Sequence, residues 1–277
     1  MKRYKEIDIL MPYWGRFDLA KQTVDSVLAQ TSNSWNLIIA DDCYYDNSLK
    51  EYCKSLNNPK IKYIKHKKNI GVTNNFNYCL NQAKSQFCVI VGCDDRFLPN
   101  FIETALKNIE DADLYQPNVE VINAEGKKYL PLVDLVKKIL RPKKSKLYSG
   151  EQLATSLCHG NWLYFPSVVW KTETVKKYKF DQQYKIAEDL ALELNMIIDG
   201  ARLFLDNTTT FQYRRFNESL SSKEKTGIRF IEEEKLYTKF AIKFRQSGWY
   251  EAERAAKLRI TARIHKALSS FLRSKSI

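Results

Sequence analysis

The sequence predicts an α/β protein: a mainly parallel sheet flanked by helices, with a basic helical C-terminal extension. Three observations predict it. Over the first hundred residues, short apolar runs alternate with segments whose apolar residues recur at helical spacing. Two of those runs end in adjacent aspartates, Asp41-Asp42 and Asp94-Asp95. Beyond about residue 228 only helical spacing remains.

The elements follow in order. Ile7–Met11 is a short apolar strand, and Phe17, Ala20, Val24, Val27 and Leu28 then mark a helical face. Asn36–Ala40 is a second strand, residues 46–56 a helix, and Ile61–Ile64 a third strand. Phe76, Leu80 and Ala83 mark another helix, and Phe87–Val91 is a fourth strand. Helical spacing resumes after Pro99, a good first-turn residue. Such alternation argues for a parallel sheet covered on both faces. Glu125–Ser149 is lysine-rich with two prolines and reads as an exposed loop. Residues 188–199 form a helix, and Ala201–Leu205 and Thr209–Tyr213 read as two strands. Residues 228–273 read as helices with a break at Gly248.

The 277 residues, 44% of them hydrophobic, can bury a sizeable core. No run of eighteen apolar residues exists, so no membrane span is expected. The N-terminus is too interrupted by charge for a signal peptide. The six cysteines lack zinc-knuckle spacing, several sit in apolar runs, and reduced thiols are expected. Net charge is +13, of which residues 235–277 carry +9. The basicity therefore belongs mainly to the C-terminal tail. No nucleic-acid motif accompanies it, so a nucleic-acid partner is not expected.

In parallel sheets, ligands sit at the carboxyl edge of the strands, where both aspartate pairs fall. Asp94-Asp95 suits a hard divalent cation, because Mg²⁺ takes one or two carboxylates plus substrate phosphates. A carboxylate at Asp41-Asp42 can accept from a nucleobase or ribose edge. Glu188-Asp189 opens a helix, where acids are stabilised by the dipole, so capping is the better reading by itself; a general base must also be a carboxylate that reaches the acceptor's hydroxyl.

With these residues assembled, the chain resembles inverting nucleotide-sugar glycosyltransferases of family 2, which have the GT-A fold. Five segments carry the resemblance: ILMPYWGRFDLAKQTVDSVLAQTSNSWNLIIADDCYYDNS, KNIGVTNNFNYCLNQA, VGCDDRFLP, GNWLYFPSVVW followed by AEDLAL, and YRRFNESLS. The resemblance implies a nucleotide-binding half at about 1–110, an acceptor-binding half at about 111–227, and an extension over 228–277. It implies that Pro12 and Tyr13 lie along the base, that Asp42 bonds it, and that Asn69 belongs to the donor site. Asp94 and Asp95 would bind ribose and a Mn²⁺ or Mg²⁺ ion bridging the diphosphate, and Asp189 would be the general base. Glu188 and Trp162 would face the acceptor, a saccharide or lipid-linked saccharide.

The chain departs from the pattern in three places. Gly92 stands where many relatives have a further aspartate. Cys43-Tyr44 replaces the usual Gly-Ser. Phe216 replaces a histidine, which leaves Arg214 or Arg215 as diphosphate partners. Gln212, Arg215 and Phe216 resemble the signature of processive members only in part, so one sugar per encounter is expected. The location implied is cytoplasmic, at the inner face of the membrane if the basic helix over 249–273 lies on anionic lipid. Ala255, Leu258, Ala262 and Leu268 would be that helix's inward residues. A sugar nucleotidyltransferase is the competing enzyme, but the loop Pro12–Arg16 has one glycine where that class is glycine-rich. No G-x-G-x-x-G follows a strand, which excludes a dinucleotide-binding dehydrogenase.

Overall fold

The computed structural model describes residues 5–216, 226–260 and 263. Its four N-terminal strands are β1 (Ile7–Tyr13), β2 (Trp35–Asp41), β3 (Ile61–Lys65) and β4 (Phe87–Ile90). They alternate with α1 (Phe17–Leu28), α2 (Ser48–Ser55) and α3 (Val72–Gln82), as expected. These strands are parallel in the order β3-β2-β1-β4. The order reverses at β1, which starts the crevice that such sheets use for ligands.

The sheet continues as β8 (Val169–Lys171), β6 (Leu114–Ile122), β9 (Leu203–Arg214) and β5 (Arg96–Phe97). β8 joins the two halves, antiparallel to both β4 and β6, whereas β6 and β9 are parallel. The two strands expected over 201–213 are one continuous strand, β9. Register shifts against β6 at Gln116, Asn118 and Val119 let it bend without breaking. The remaining helices are α4 (Phe101–Asn108), α5 (Leu132–Leu140), α6 (Gly150–His159), α7 (Thr172–Val175), α8 (Glu188–Ile198), α9 (Thr226–Gln246) and α10 (Tyr250–Leu258).

Residues alternate across the sheet, so each strand feeds two cores. Ile7, Ile9 and Met11 of β1 pack with α1, α2 and α4 through Val24, Val27, Leu49, Phe101 and Ile102. Leu10, Ala40 and Ile90 face the other side, with Leu80, Leu153, Leu157, Leu194 and Ile197. That second core also takes Leu236, Tyr237, Phe240 and Phe244 of α9 and Ala252, Ala255 and Ala256 of α10. The C-terminal helices therefore pack as part of the main body. Their break falls at Gly248, whose φ of +74° favours glycine.

The segment 125–149, expected as a loop, holds helix α5 and strand β7 (Lys146–Tyr148), which pairs antiparallel with β9. Lysines dominate its composition, yet Asp134 and Lys137 serve as inward anchors, so α5 folds against the body by polar contacts. The cysteines are all free, and Cys53, Cys79, Cys88 and Cys158 are buried as small hydrophobes. No helix among the described residues is long and apolar enough to cross a membrane.

Candidate active site

The ends of β1 and β2 build the first corner. Tyr13 pairs with Asp41 across the strands, and the Asp42 N–H donates to the Tyr13 carbonyl at 2.9 Å. The two aspartates diverge from there. Asp41 is fully buried, and its carboxylate accepts from the Tyr44 N–H at 2.7 Å and the Tyr63 hydroxyl at 2.6 Å. It builds the turn. Asp42 accepts from the backbone N–H groups of Ile70 and Gly71, at 2.7 and 3.0 Å. That fixes the N-x-G loop over the end of β2. Asn69 folds the same loop from within, its Oδ1 accepting the Gly71 N–H at 3.0 Å. Gly71 has φ +84°. Cys43, where glycine is usual, takes the left-handed conformation itself, with φ +62°.

The second corner follows β4. The Asp95 N–H donates to the Gly92 carbonyl at 3.2 Å, closing a tight turn. A Cβ on residue 92 would lie 2.7 Å from Asp95 Oδ2 and 2.9 Å from Asp94 Oδ1. Both carboxylates thus fold back onto the bare Cα of Gly92. The missing side chain is what allows them to converge. Asp95 is buried, and its Oδ1 accepts the Arg214 N–H of β9 at 2.8 Å. Its carboxyl is held well above the usual range by burial and then by Asp94, while Asp94 itself is raised by burial. Two acids that repel one another, Asp95 buried and Asp94 half-buried, suit a divalent cation, which would favour the carboxylate form of both. Among the described residues no third acid, histidine or cysteine completes a ligand set.

Between the corners lies a cleft of about 510 Å³. Pro12, Tyr13, Asp42, Gly92 and Asp94 line it from the parallel half, and Phe165, Pro166 and Phe216 from the other. Trp14, more than half exposed, and Arg16 stand at its rim. Seven expected residues are not among that lining: Asn69, Asp95, Trp162, Glu188, Asp189, Arg214 and Arg215. Asp95 sits behind Asp94. Arg214 is 3% exposed, and its guanidinium donates to the carbonyls of Asp94 (2.7 Å) and Ala124 (2.8 Å) and to Gln22 (2.9 Å). It braces the corner from inside. Arg215 forms a two-point ion pair with the buried Asp134, at 2.8 and 2.9 Å. Trp162, expected at the acceptor, is fully buried, and its indole N–H donates to Ser156 at 3.0 Å, so its ring faces core and no sugar can stack on it. Phe165, three residues later, is the aromatic that reaches the cleft. The sequence does not separate these neighbours, because both lie in one apolar run.

Glu188 and Asp189 open α8. Glu188 is buried with Oε2 unpartnered, and burial pushes its carboxyl up to about 8. Asp189 is raised by burial, against the Leu190 N–H (2.7 Å) and the nearby charge of Lys137. Lys137 donates to the Leu163 carbonyl at 2.6 Å and lies over the Tyr164 ring. Burial lowers its ammonium to about 8. One turn along α8, Glu193 is fully buried with both carboxylate oxygens unpartnered. The loop leading into α8 is clamped by Glu232 of α9, whose carboxylate accepts the N–H groups of Lys185 (2.9 Å) and Ile186 (2.8 Å). Nothing in the sequence marked Lys137 or Glu232, since each sits among many like-charged neighbours.

In the C-terminal stretch, Ala255 faces inward as expected, but Leu258 is exposed. Ala262 and Leu268 lie outside the described residues, as does the end of YRRFNESLS beyond Phe216.

Known proteins resemble this chain in sequence and in fold. The chain is 28% identical over 204 residues to WcaA of Escherichia coli K12, a glycosyl transferase named for colanic acid biosynthesis. The match spans 72% of this chain and 68% of that one. Among solved structures, S. aureus TarS in complex with UDP-GlcNAc aligns over 84% of this chain and 66% of its own. Its TM-score is 0.64 at 16% identity. The mannosyltransferase PcManGT of Pyrobaculum calidifontis, in complex with GDP-Man and Mn²⁺, aligns over 99% of this chain and 81% of its own. Its TM-score is 0.64 at 12% identity. These structural likenesses establish a shared GT-A architecture. The sequence profile of glycosyl transferase family 2 matches residues 8–172, more than half of the chain and the whole of both aspartate corners. The chain belongs to glycosyl transferase family 2.

Proposed function

We propose that this glycosyltransferase moves one sugar, with inversion, from a nucleoside-diphosphate sugar, UDP-linked in the first instance. The acceptor is a hydroxyl of a saccharide or lipid-linked saccharide in bacterial surface glycan synthesis, on the cytoplasmic side. The observation that carries this reading is the pair of carboxylates converging over Gly92 beside the cleft. TarS with UDP-GlcNAc supports the donor class, and the Mn²⁺ of the mannosyltransferase structure supports a divalent ion.

Pro12 and Tyr13 give the base an apolar wall, and Asp42 lies at its polar edge. Asp94, with Asp95 behind it, would hold the cation, which when bound supplies positive charge to the leaving diphosphate. Arg214 and Arg215 are committed to protein acceptors inside the body, whereas Arg16, paired with Asp18 at the surface, lines the cleft. Asp189 takes the proton of the acceptor hydroxyl as its oxygen bonds to the anomeric carbon. The bond from that carbon to the diphosphate oxygen breaks on the opposite face. A base raised by burial accepts that proton more readily than an ordinary aspartate.

The test is a panel of nucleotide sugars assayed for metal-dependent transfer. Asp189→Asn is expected to lower kcat by roughly 10²–10⁴-fold while leaving nucleotide affinity unchanged. Full transfer by that variant would remove Asp189 from the role.

A further inference from the structure

Helix α5 is built inside out. Its polar residues face the protein. Asp134 is fully buried, accepting from the Tyr164 hydroxyl at 2.9 Å and pairing with Arg215. Lys137 reaches the Leu163 carbonyl, and Arg141 just beyond the helix donates to Asn207 at 2.8 Å. Its apolar residues face out. Leu132 is 75% and Ile139 65% exposed, with Val133, Leu135 and Val136 exposed between them and Tyr129 and Leu130 just before. An amphipathic helix on a protein surface ordinarily points its apolar stripe at the core. A contiguous outward apolar face marks a contact site.

The rim says what the contact is. Lys127, Lys128, Lys138, Lys143, Lys144 and Lys146 are all exposed around this face. The one acid between residues 127 and 146 is Asp134, buried and paired on the inner side. A second copy would bring an identical cationic rim against this one, which like-charge repulsion disfavours. An anionic bilayer matches both features, taking the apolar side chains at the acyl boundary and the lysines at the headgroups. By contrast, α10 turns its alanine stripe of Ala252, Ala255 and Ala256 into the core.

We propose that α5 and its lysine rim form an interfacial docking site for an anionic lipid surface. The helix lies in the headgroup plane and does not span. Docking stands independently of the proposed reaction. If that reaction holds, the same helix sets lipid on one side and Lys137, beside Asp189, on the other, which suits a lipid-borne acceptor.

The experiment is co-sedimentation of the full chain with vesicles of phosphatidylcholine alone and of phosphatidylcholine mixed with phosphatidylglycerol. Binding is expected to the mixed vesicles and to be weak on the neutral ones. Two variants separate the parts: Leu132→Gln with Ile139→Gln, and Lys138→Glu with Lys143→Glu and Lys144→Glu. All five positions are exposed, so melting temperatures should hold while each variant loses binding by about tenfold or more. Val136→Trp should shift its emission to the blue on the mixed vesicles. Undiminished binding by both variants, or no binding by the parent, overturns the proposal. So does a dimer in light scattering that the Leu132→Gln, Ile139→Gln variant converts to monomer.

Discussion

Gly92 is where one missing atom decides what the site can be. An alanine there meets Asp95 Oδ2 at 2.7 Å and Asp94 Oδ1 at 2.9 Å, so one carboxylate must swing away. Gly92→Ala is expected to cost at least about tenfold in kcat/KM, about 1.4 kcal/mol of barrier, with a weaker response to added Mn²⁺. An unchanged Mn²⁺ titration would separate the pair from the metal. Glu188 gives a second residue-level expectation. Burial raises its carboxyl from the ordinary 4.5 to about 8, so the folded state holds this proton more tightly than the unfolded chain. Between those values unfolding releases it, and stability falls as pH rises, levelling off above about 8. Other buried acids slope the same way, so the readout is a difference. Glu188→Gln should match the parent in melting temperature near pH 4.5 and exceed it near pH 8. At this scale the sequence located the corners well, because adjacent acids at strand ends are conspicuous. It did not tell the members of a pair apart. Asp41 builds the turn and Asp42 pins the loop, and that division depends on Tyr63, Ile70 and Gly71, which arrive from elsewhere in the chain.

At the scale of elements, β1 to β4 were legible because each βαβ unit is local and its apolar period changes cleanly from strand to helix. Past residue 110 the elements are set by distant partners. β8 has three residues and exists because β4 and β6 flank it. α5 was illegible for a different reason. Its apolar stripe is plain enough, but lysines and prolines flank it, and it packs by its polar side. α9 shows what an element contributes to a neighbour's chemistry. Glu232 accepts backbone N–H groups from Lys185 and Ile186 that have no place in a helix or sheet. Removing it leaves these part-buried donors without their charged acceptor. Glu232→Ala is expected to destabilise by about 1–3 kcal/mol and to slow transfer by loosening the turn that presents Asp189. Nucleotide affinity should remain, because the proposed base wall is at Pro12 and Tyr13, and a calorimetric titration with UDP checks that.

Across the whole molecule, the division expected at residue 227 does not mark a change of core. Phe240 and Phe244 lie in the same apolar cluster as Leu10 and Ile90. The tail looked separable because its charge differs from the rest, but charge is a property of surfaces, and the tail's inner face is ordinary core. Its basic composition drew the membrane expectation to the C-terminus, and a second segment, residues 127–146, carries an exposed apolar helix face with a cationic rim. Net charge per segment did not find it. Exposure of apolar side chains did, and exposure is known only once the chain is folded.

The bond from the Arg214 N–H to Asp95 joins positions 119 residues apart. In the order of synthesis, this means that the carboxylate corner emerges early but remains unfinished. Its backing strand is, among the described residues, the last of the sheet to be made, and the clamp from Glu232 is later still. The first half of the chain can settle into its βαβ units as it appears. The acid pair with its brace, and the clamped loop ahead of Asp189, are complete only once β9 and α9 have docked. Assembly of the site is thus tied to the arrival of β9 and then of α9.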